Sequence, residues 1–176
     1  MSKRILISIF CLISTVLFAQ ETMSVRANTY PATPTWNFIC ENYALSGNVK
    51  VQIAKTEKGG LLKLIVETTD PSFIIAGNVY VDLADTTVII CTDKNNRETN
   101  ANQIISYYTF LPSEMNRLKK SDIQSIRFSI KGKKEKFASQ TGYFTAINKK
   151  SYFSTVYSSD KKSYNTADEI QLLFSN

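Results

Sequence analysis

The chain predicts a mainly β protein, an antiparallel β-sandwich with a β-barrel as the alternative. Three observations carry that prediction. Apolar and polar residues alternate with period two in segment after segment, turn residues recur about every ten positions, and strand patterns do not alternate regularly with helix patterns. Parallel βαβ architectures need that last alternation, whereas short strands separated by frequent turns suit sandwiches and barrels. Two short helices are expected beside the strands, one near residues 113–120 and one at the C-terminal end.

The chain opens MSKRILISIFCLISTVLFAQ, with Lys3 and Arg4 ahead of an uncharged apolar run from Ile5 to Phe18 that stops at the small residue Ala19. That order is the one a secretory signal requires, so residues 1–19 are expected to be a cleaved signal peptide. The run is shorter than the roughly 20 residues a helix needs to cross a bilayer. No transmembrane span is expected after processing, and the processed protein belongs in the periplasm, on the outer surface or outside the cell. Residues 20–35 mix Thr, Pro, Ala and Asn and are expected to form a flexible leader. Residues 36–176 then make a single β-rich domain beginning near Trp36, about 140 residues and long enough for one core.

From Asn48, Val49, Val51 and Ile53 share one face and Lys50, Gln52 and Ala54 the other. Leu62, Leu64 and Val66 resume an apolar face after Gly59 and Gly60, which are read as the tight turn of a hairpin over residues 48–68. Asp70 and Pro71 punctuate the chain. The run SFIIAGNVYVDL carries Val79, Val81 and Leu83 on one face, with Gly77 marking a bulge or bend, and TTVIIC returns after a turn at residues 84–86. Residues 105–110 are β-branched and aromatic. Ser113 is read as the cap of a short helix in which Met115 and Leu118 share a face, and Ile126, Phe128 and Ile130 restore the strand period. KFASQTGYFTAI and SYFSTVY read as further strands. Thr166 and Glu169 have capping-box spacing ahead of Ile170 and Leu173.

The hairpin ending VIICTDK, the ISYYTF strand and the helix-to-strand joint LPSEMNRLKKSDIQSIRFSI span about residues 78–131. Together they resemble a pattern in small exported β-rich bacterial proteins of unassigned function. The resemblance implies a β-rich fold and an envelope or extracellular location, and brings no catalytic residue with it.

The chain contains no histidine. That excludes His-based triads, Cys–His dyads and metal sites built on imidazole. Without residues 1–19 only Cys40 and Cys91 remain. Fifty-one positions apart, they lack the close spacing of zinc ligands, and they are either a disulfide pair suited to an oxidising compartment or two buried thiols. Ser158 with Lys161, and Ser159 with Lys162, match serine–lysine spacing but lack the supporting motifs and read as a polar turn. Asp93 and Asn95 begin like a calcium loop, which then fails at Glu98 and Ile104. No phosphate-binding glycine loop occurs, so neither a metal nor a cofactor is expected. Asp82, Asp85, Asp93 and Glu98 remain as a source of paired carboxylates for hydrolysis of a polymer.

Removing Lys3 and Arg4 lowers the net charge from +6 to +4, and the remaining charge is uneven: residues 113–162 carry twelve basic and four acidic side chains. The tract KGKKEK places Lys131, Lys133, Lys134 and Lys136 at the tip of this basic field, a candidate anion-binding surface. Its position between two strand patterns makes a solvated hairpin loop the first reading. The tract holds no aromatic residue on which a base could stack, so nucleic acid is a poor fit. The leading expectation is a non-enzymatic exported β-domain that binds a protein, glycan or envelope component through a sheet face or its loops. A carboxylate-dependent hydrolase and an anion-binding surface protein are the alternatives.

Overall fold

The structure is a computed structural model that describes residues 21–43, 45–100, 102–132, 140–150 and 163–175. The expected signal peptide at 1–19, Lys133, Lys134 and Lys136, the SYFSTVY segment and the two serine–lysine pairs lie outside the described residues.

The first elements correct the sequence reading. Within the segment expected to be a flexible leader, β1 (Thr22–Val25) and β2 (Asn28–Pro31) form an antiparallel hairpin in which Met23 faces Tyr30. Met23 and Val25 alternate with exposed Thr22 and Ser24 and pack against Ala54, Leu61 and Tyr107. Burying two such side chains contributes roughly 1.5–3 kcal/mol each, enough to hold a short hairpin that could not stand alone. The chain then enters the main sheet through Thr33, whose N–H donates to the Ile53 carbonyl at 2.8 Å and whose carbonyl accepts from Gln52 Nε2 at 3.0 Å.

The remaining elements are β3 (Trp36–Ile39), β4 (Asn48–Thr56), β5 (Gly59–Glu67), β6 (Ile74–Ile75), β7 (Val79–Leu83), β8 (Val88–Cys91), β9 (Arg97–Asn100), β10 (Gln103–Phe110), α1 (Pro112–Leu118), β11 (Ile123–Lys131), β12 (Gly142–Ile147) and α2 (Thr166–Leu172). The expected mainly β, antiparallel fold is the one observed, as a strongly curled half-barrel sheet. Its strand order is β8-β7-β11-β12-β3-β4-β5-β10-β9, with β6 pairing on β11. Covalent continuity forces the curl. Nine flat strands about 4.8 Å apart would hold the two edges about 38 Å apart. Those edges, β8 and β9, are joined by residues 92–96, a strap that can reach about 20 Å at most. Side chains secure the junction: Asp93 accepts the Gly77 N–H at 3.0 Å and pairs with Arg97, whose Nε donates to the Ile75 carbonyl at 2.9 Å. On the opposite side, β12 and β3 share a single aligned pair, Ile147 with Ile39.

The core fills the curl with the inward half of each alternation, including Trp36, Phe38, Val51, Leu64, Ile104 and Phe128. The β4–β5 connection differs in detail from the expectation. Glu57 and Lys58 make the turn, while Gly59 and Gly60 lie in β5. Gly59 has φ 131°, and Gly60 lies against Met115 of α1, so packing accounts for the second glycine. The helix caps also differ. Leu111, not Ser113, precedes α1, and its N–H is taken by Glu114 Oε2 at 2.7 Å. Asn165, not Thr166, precedes α2. Thr166 instead accepts the Ile123 N–H at 2.8 Å, and Asp122 accepts the Ala167 N–H at 2.8 Å.

Candidate functional site

The hairpin β1–β2 covers the outer face of the sheet over β4, β5 and β10. Ala54 is buried beneath the hairpin, and Gln52 beneath the chain at Thr33 that follows it. Among the described residues nothing covers the outer face over β8, β7, β11 and β12 in this way, and its register aligns the outward residues in rows. One row runs Ile90, Tyr80, Arg127, Thr145; a second runs Val88, Asp82, Ser125, Ile147; Ser129 lies opposite Tyr143. Among the described residues five large apolar or aromatic side chains are exposed, and three of them, Val88, Ile90 and Tyr143, belong to this face. Tyr143 is 93% exposed. Exposed aromatic and aliphatic groups gathered in one place carry more information than isolated ones.

A concavity of about 380 Å³ opens here, lined by Asn78, Tyr80, Arg127, Ser129, Tyr143 and Thr145, with Phe128 and Phe144 beneath. Arg127 is held on both sides. Its guanidinium carbon lies 5.1 Å from the Tyr80 ring centroid, and its Nε and Nη2 donate to the two Asp82 oxygens at 2.9 and 2.8 Å. Ser125 Oγ donates to the same carboxylate at 2.7 Å. Burial alone would raise the Asp82 carboxyl. The Arg127 and Ser125 hydrogen bonds and the guanidinium charge outweigh it and hold the group below its ordinary range. Asp82 is therefore an ionised anchor for Arg127, and the arrangement presents an oriented guanidinium against the Tyr80 ring, in a concavity that Tyr143 and several amide and hydroxyl groups also line.

The other carboxylates considered for hydrolysis are engaged elsewhere. Asp85, in the turn after β7, accepts the Thr87 N–H at 3.0 Å, and the hydrogen bonds of Thr87 lower its pKa. Asp93 is tied to Gly77, Asn95 and Arg97. Glu98 lies on β9 near Tyr107, whose phenol is pushed up to about 12 by burial and then by the Glu98 charge. Four grooves among the described residues carry at most one carboxylate each: Glu57 beside the β1–β2 hairpin, Asp122 beside Asn148, Glu67 beside Asn102 and none beside Tyr143. Among the described residues no group of three or more Cys, Asp or Glu converges as metal ligands would.

Lys131 ends β11 on the outward side, in line with Ser125, Arg127 and Ser129, and is exposed. Of the two readings of the cysteines, the buried thiols are the one the structure shows, since Cys40 and Cys91 are free and buried. Cys40 directly follows β3 and Cys91 ends β8, with β7, β11 and β12 between them in the sheet. Burial raises both thiols, Cys91 to about 12 with the Glu114 charge adding to it.

In the sequence Asp82 stands out as a candidate acid, whereas Tyr80, Tyr143, Arg127, Val88 and Ile90 carry no mark of their own. Their signal is the outward half of each alternation. It becomes a site only when β8, β7, β11 and β12 are known to be neighbours. No protein-family model, curated protein or solved structure matches the chain.

Proposed function

We propose that the protein is an exported, non-enzymatic binding domain that holds a glycan against the outer face of β7, β11 and β12. The observation that carries this reading is the concavity that Tyr80, Tyr143, Arg127, Asn78, Ser129 and Thr145 line together. A sugar presents apolar ring faces and a rim of hydroxyls. Tyrosine rings suit the first, and amide, hydroxyl and guanidinium groups suit the second. The Asp82 anchor supports it further, because a pre-oriented arginine gives up less side-chain freedom on binding. The signal-like pattern of residues 1–19 supports a location where envelope or extracellular polymers are met.

Affinity electrophoresis through gels containing neutral or acidic soluble polysaccharides tests the reading. Retardation by at least one polymer is expected, with Tyr143→Ala and Arg127→Ala each weakening it tenfold or more. Retardation unchanged in both variants, or none with any polymer, would overturn it.

A further inference from the structure

The two edges of the curled sheet are chemically unlike. β9 is the segment RETN, in which Glu98 is exposed while Arg97 turns onto Asp93 and the Ile75 carbonyl, whereas β8 is VIIC, with neither charge nor proline. Proteins commonly guard exposed edges with charged residues or proline because an open row of N–H and C=O groups templates another strand. β9 is guarded in this way and β8 is not.

The hydrogen-bond phase identifies which groups are open. The Leu83 N–H donates to the Thr87 carbonyl at 2.9 Å, and Val81 with Ile89 and Val79 with Cys91 follow in the same register. Antiparallel ladders alternate, so those residues spend their backbone groups on β7, and Val88 and Ile90 direct theirs to the far side. Among the described residues no strand pairs with that side of β8. The same two residues carry exposed side chains, 44% for Val88 and 54% for Ile90.

We infer that β8 pairs with β8 of a second copy of this chain, antiparallel about a two-fold axis at Ile89. The edge is its own complement. In that register Val88 lies opposite Ile90 of the copy and Ile90 opposite Val88, giving four backbone N–H···O=C bonds. The outer face then carries a cluster of four β-branched side chains in two cross-strand pairs, a favourable arrangement. Neutral Thr87 and Thr92 flank the strand, and beyond them, where Asp85 of one copy falls opposite Asp93 of the other, Asp93 is neutralised by its own Arg97. The pairing stops at Thr86, where a φ of 68° turns the chain away. A two-fold axis perpendicular to the sheet puts both outer faces on one side. Two Tyr80–Arg127–Tyr143 concavities would then address one polymer together, and tethered sites of this kind gain avidity. The pairing does not depend on what those concavities bind.

Sedimentation velocity of the purified chain tests the inference. The short paired segment makes a weak dimer, so a shift from monomer toward dimer is expected between about 10 µM and about 1 mM protein. Ile90→Pro removes an outward N–H while leaving the β7 ladder intact, a position where edge proline is tolerated, and it should remain monomeric. Ile90→Val keeps both the N–H and the β-branch and should dimerise like the parent. Far-ultraviolet circular dichroism checks that the proline variant folds, and Val88→Lys, which guards the edge by charge, is the second route to the same loss. A parent chain that stays monomeric at about 1 mM overturns self-pairing and leaves the edge to a foreign strand. Dimerisation undiminished in Ile90→Pro or Val88→Lys overturns it by placing the interface elsewhere.

Discussion

The indole Nε1 of Trp36 donates to Glu169 Oε2 at 2.5 Å, joining the first strand of the main sheet to the last helix across 133 positions of chain. Trp36 is 1% exposed and stacks on Phe38, which stacks in turn on Tyr164 ahead of α2. Glu169 therefore supplies the buried indole with its acceptor. Glu169→Ala should cost about 1–3 kcal/mol in urea unfolding, the penalty for stranding a buried donor, whereas Glu169→Gln keeps an acceptor oxygen and should lose less. Trp36 is the sole tryptophan, so its fluorescence should report the change without a label. Equal stabilities for Glu169→Ala and the parent would show that the bond contributes nothing.

Gly59 and Gly60 are adjacent and are needed for different reasons. A Cβ at Gly59 would overlap the backbone carbonyl of Phe110 and would sit on a backbone at φ 131°. At Gly60 it would meet the Met115 side chain of α1, which can move. Gly59→Ala should therefore be the more damaging, by about 3 kcal/mol or more, because neither strain nor overlap can relax. Gly60→Ala should cost about 1–3 kcal/mol, the usual overpacking penalty, and be partly rescued by Met115→Ala in the same chain. Additive losses in the double variant would count against the contact.

Cys40 and Cys91 are buried thiols whose burial raises their pKa. Thiolate is the reactive form, so at neutral pH both should resist a water-soluble disulfide reagent in the native protein and react at once in denaturant. Mass spectrometry of protein alkylated under denaturing, non-reducing conditions should find both labelled, and a reducing agent should leave the melting temperature unchanged. A melting temperature that falls on reduction would indicate a bridge.

Asp82 makes part of the stability acid-sensitive. Its folded-state pKa is depressed below the ordinary 3.8 by Arg127 and Ser125. The contribution is complete above that value and is lost as pH falls through the lower folded-state value. Arg127 is about half exposed, so the contribution is about 1 kcal/mol or less. The stability gap between the parent and Asp82→Asn should be constant from neutrality down to about pH 4 and should close below it. A gap that persists at pH 2 would mean that the ionised pair is not its source.

The residues themselves determined much of this protein. Val49, Val51 and Ile53 answering Leu62, Leu64 and Val66 made the β4–β5 hairpin legible. Ile126, Phe128 and Ile130 did the same for β11, and Met115 with Leu118 for α1. Period-two and helical spacing are local properties, and a chain that must bury one face announces them without knowing its neighbours. Strand β9 was hidden because its four residues carry no apolar alternation, and the β1–β2 hairpin because the surface it covers belongs to residues thirty to eighty positions away. The candidate binding face was decided at the same level. Tyr80, Arg127 and Tyr143 stand on three separate strands, and only sheet order makes them neighbours. The free thiols, the caps drawn from Asp122 and Glu114, and the open edge at Val88 and Ile90 were likewise settled by tertiary structure, because each depends on which backbone and side-chain groups the rest of the fold has already paired.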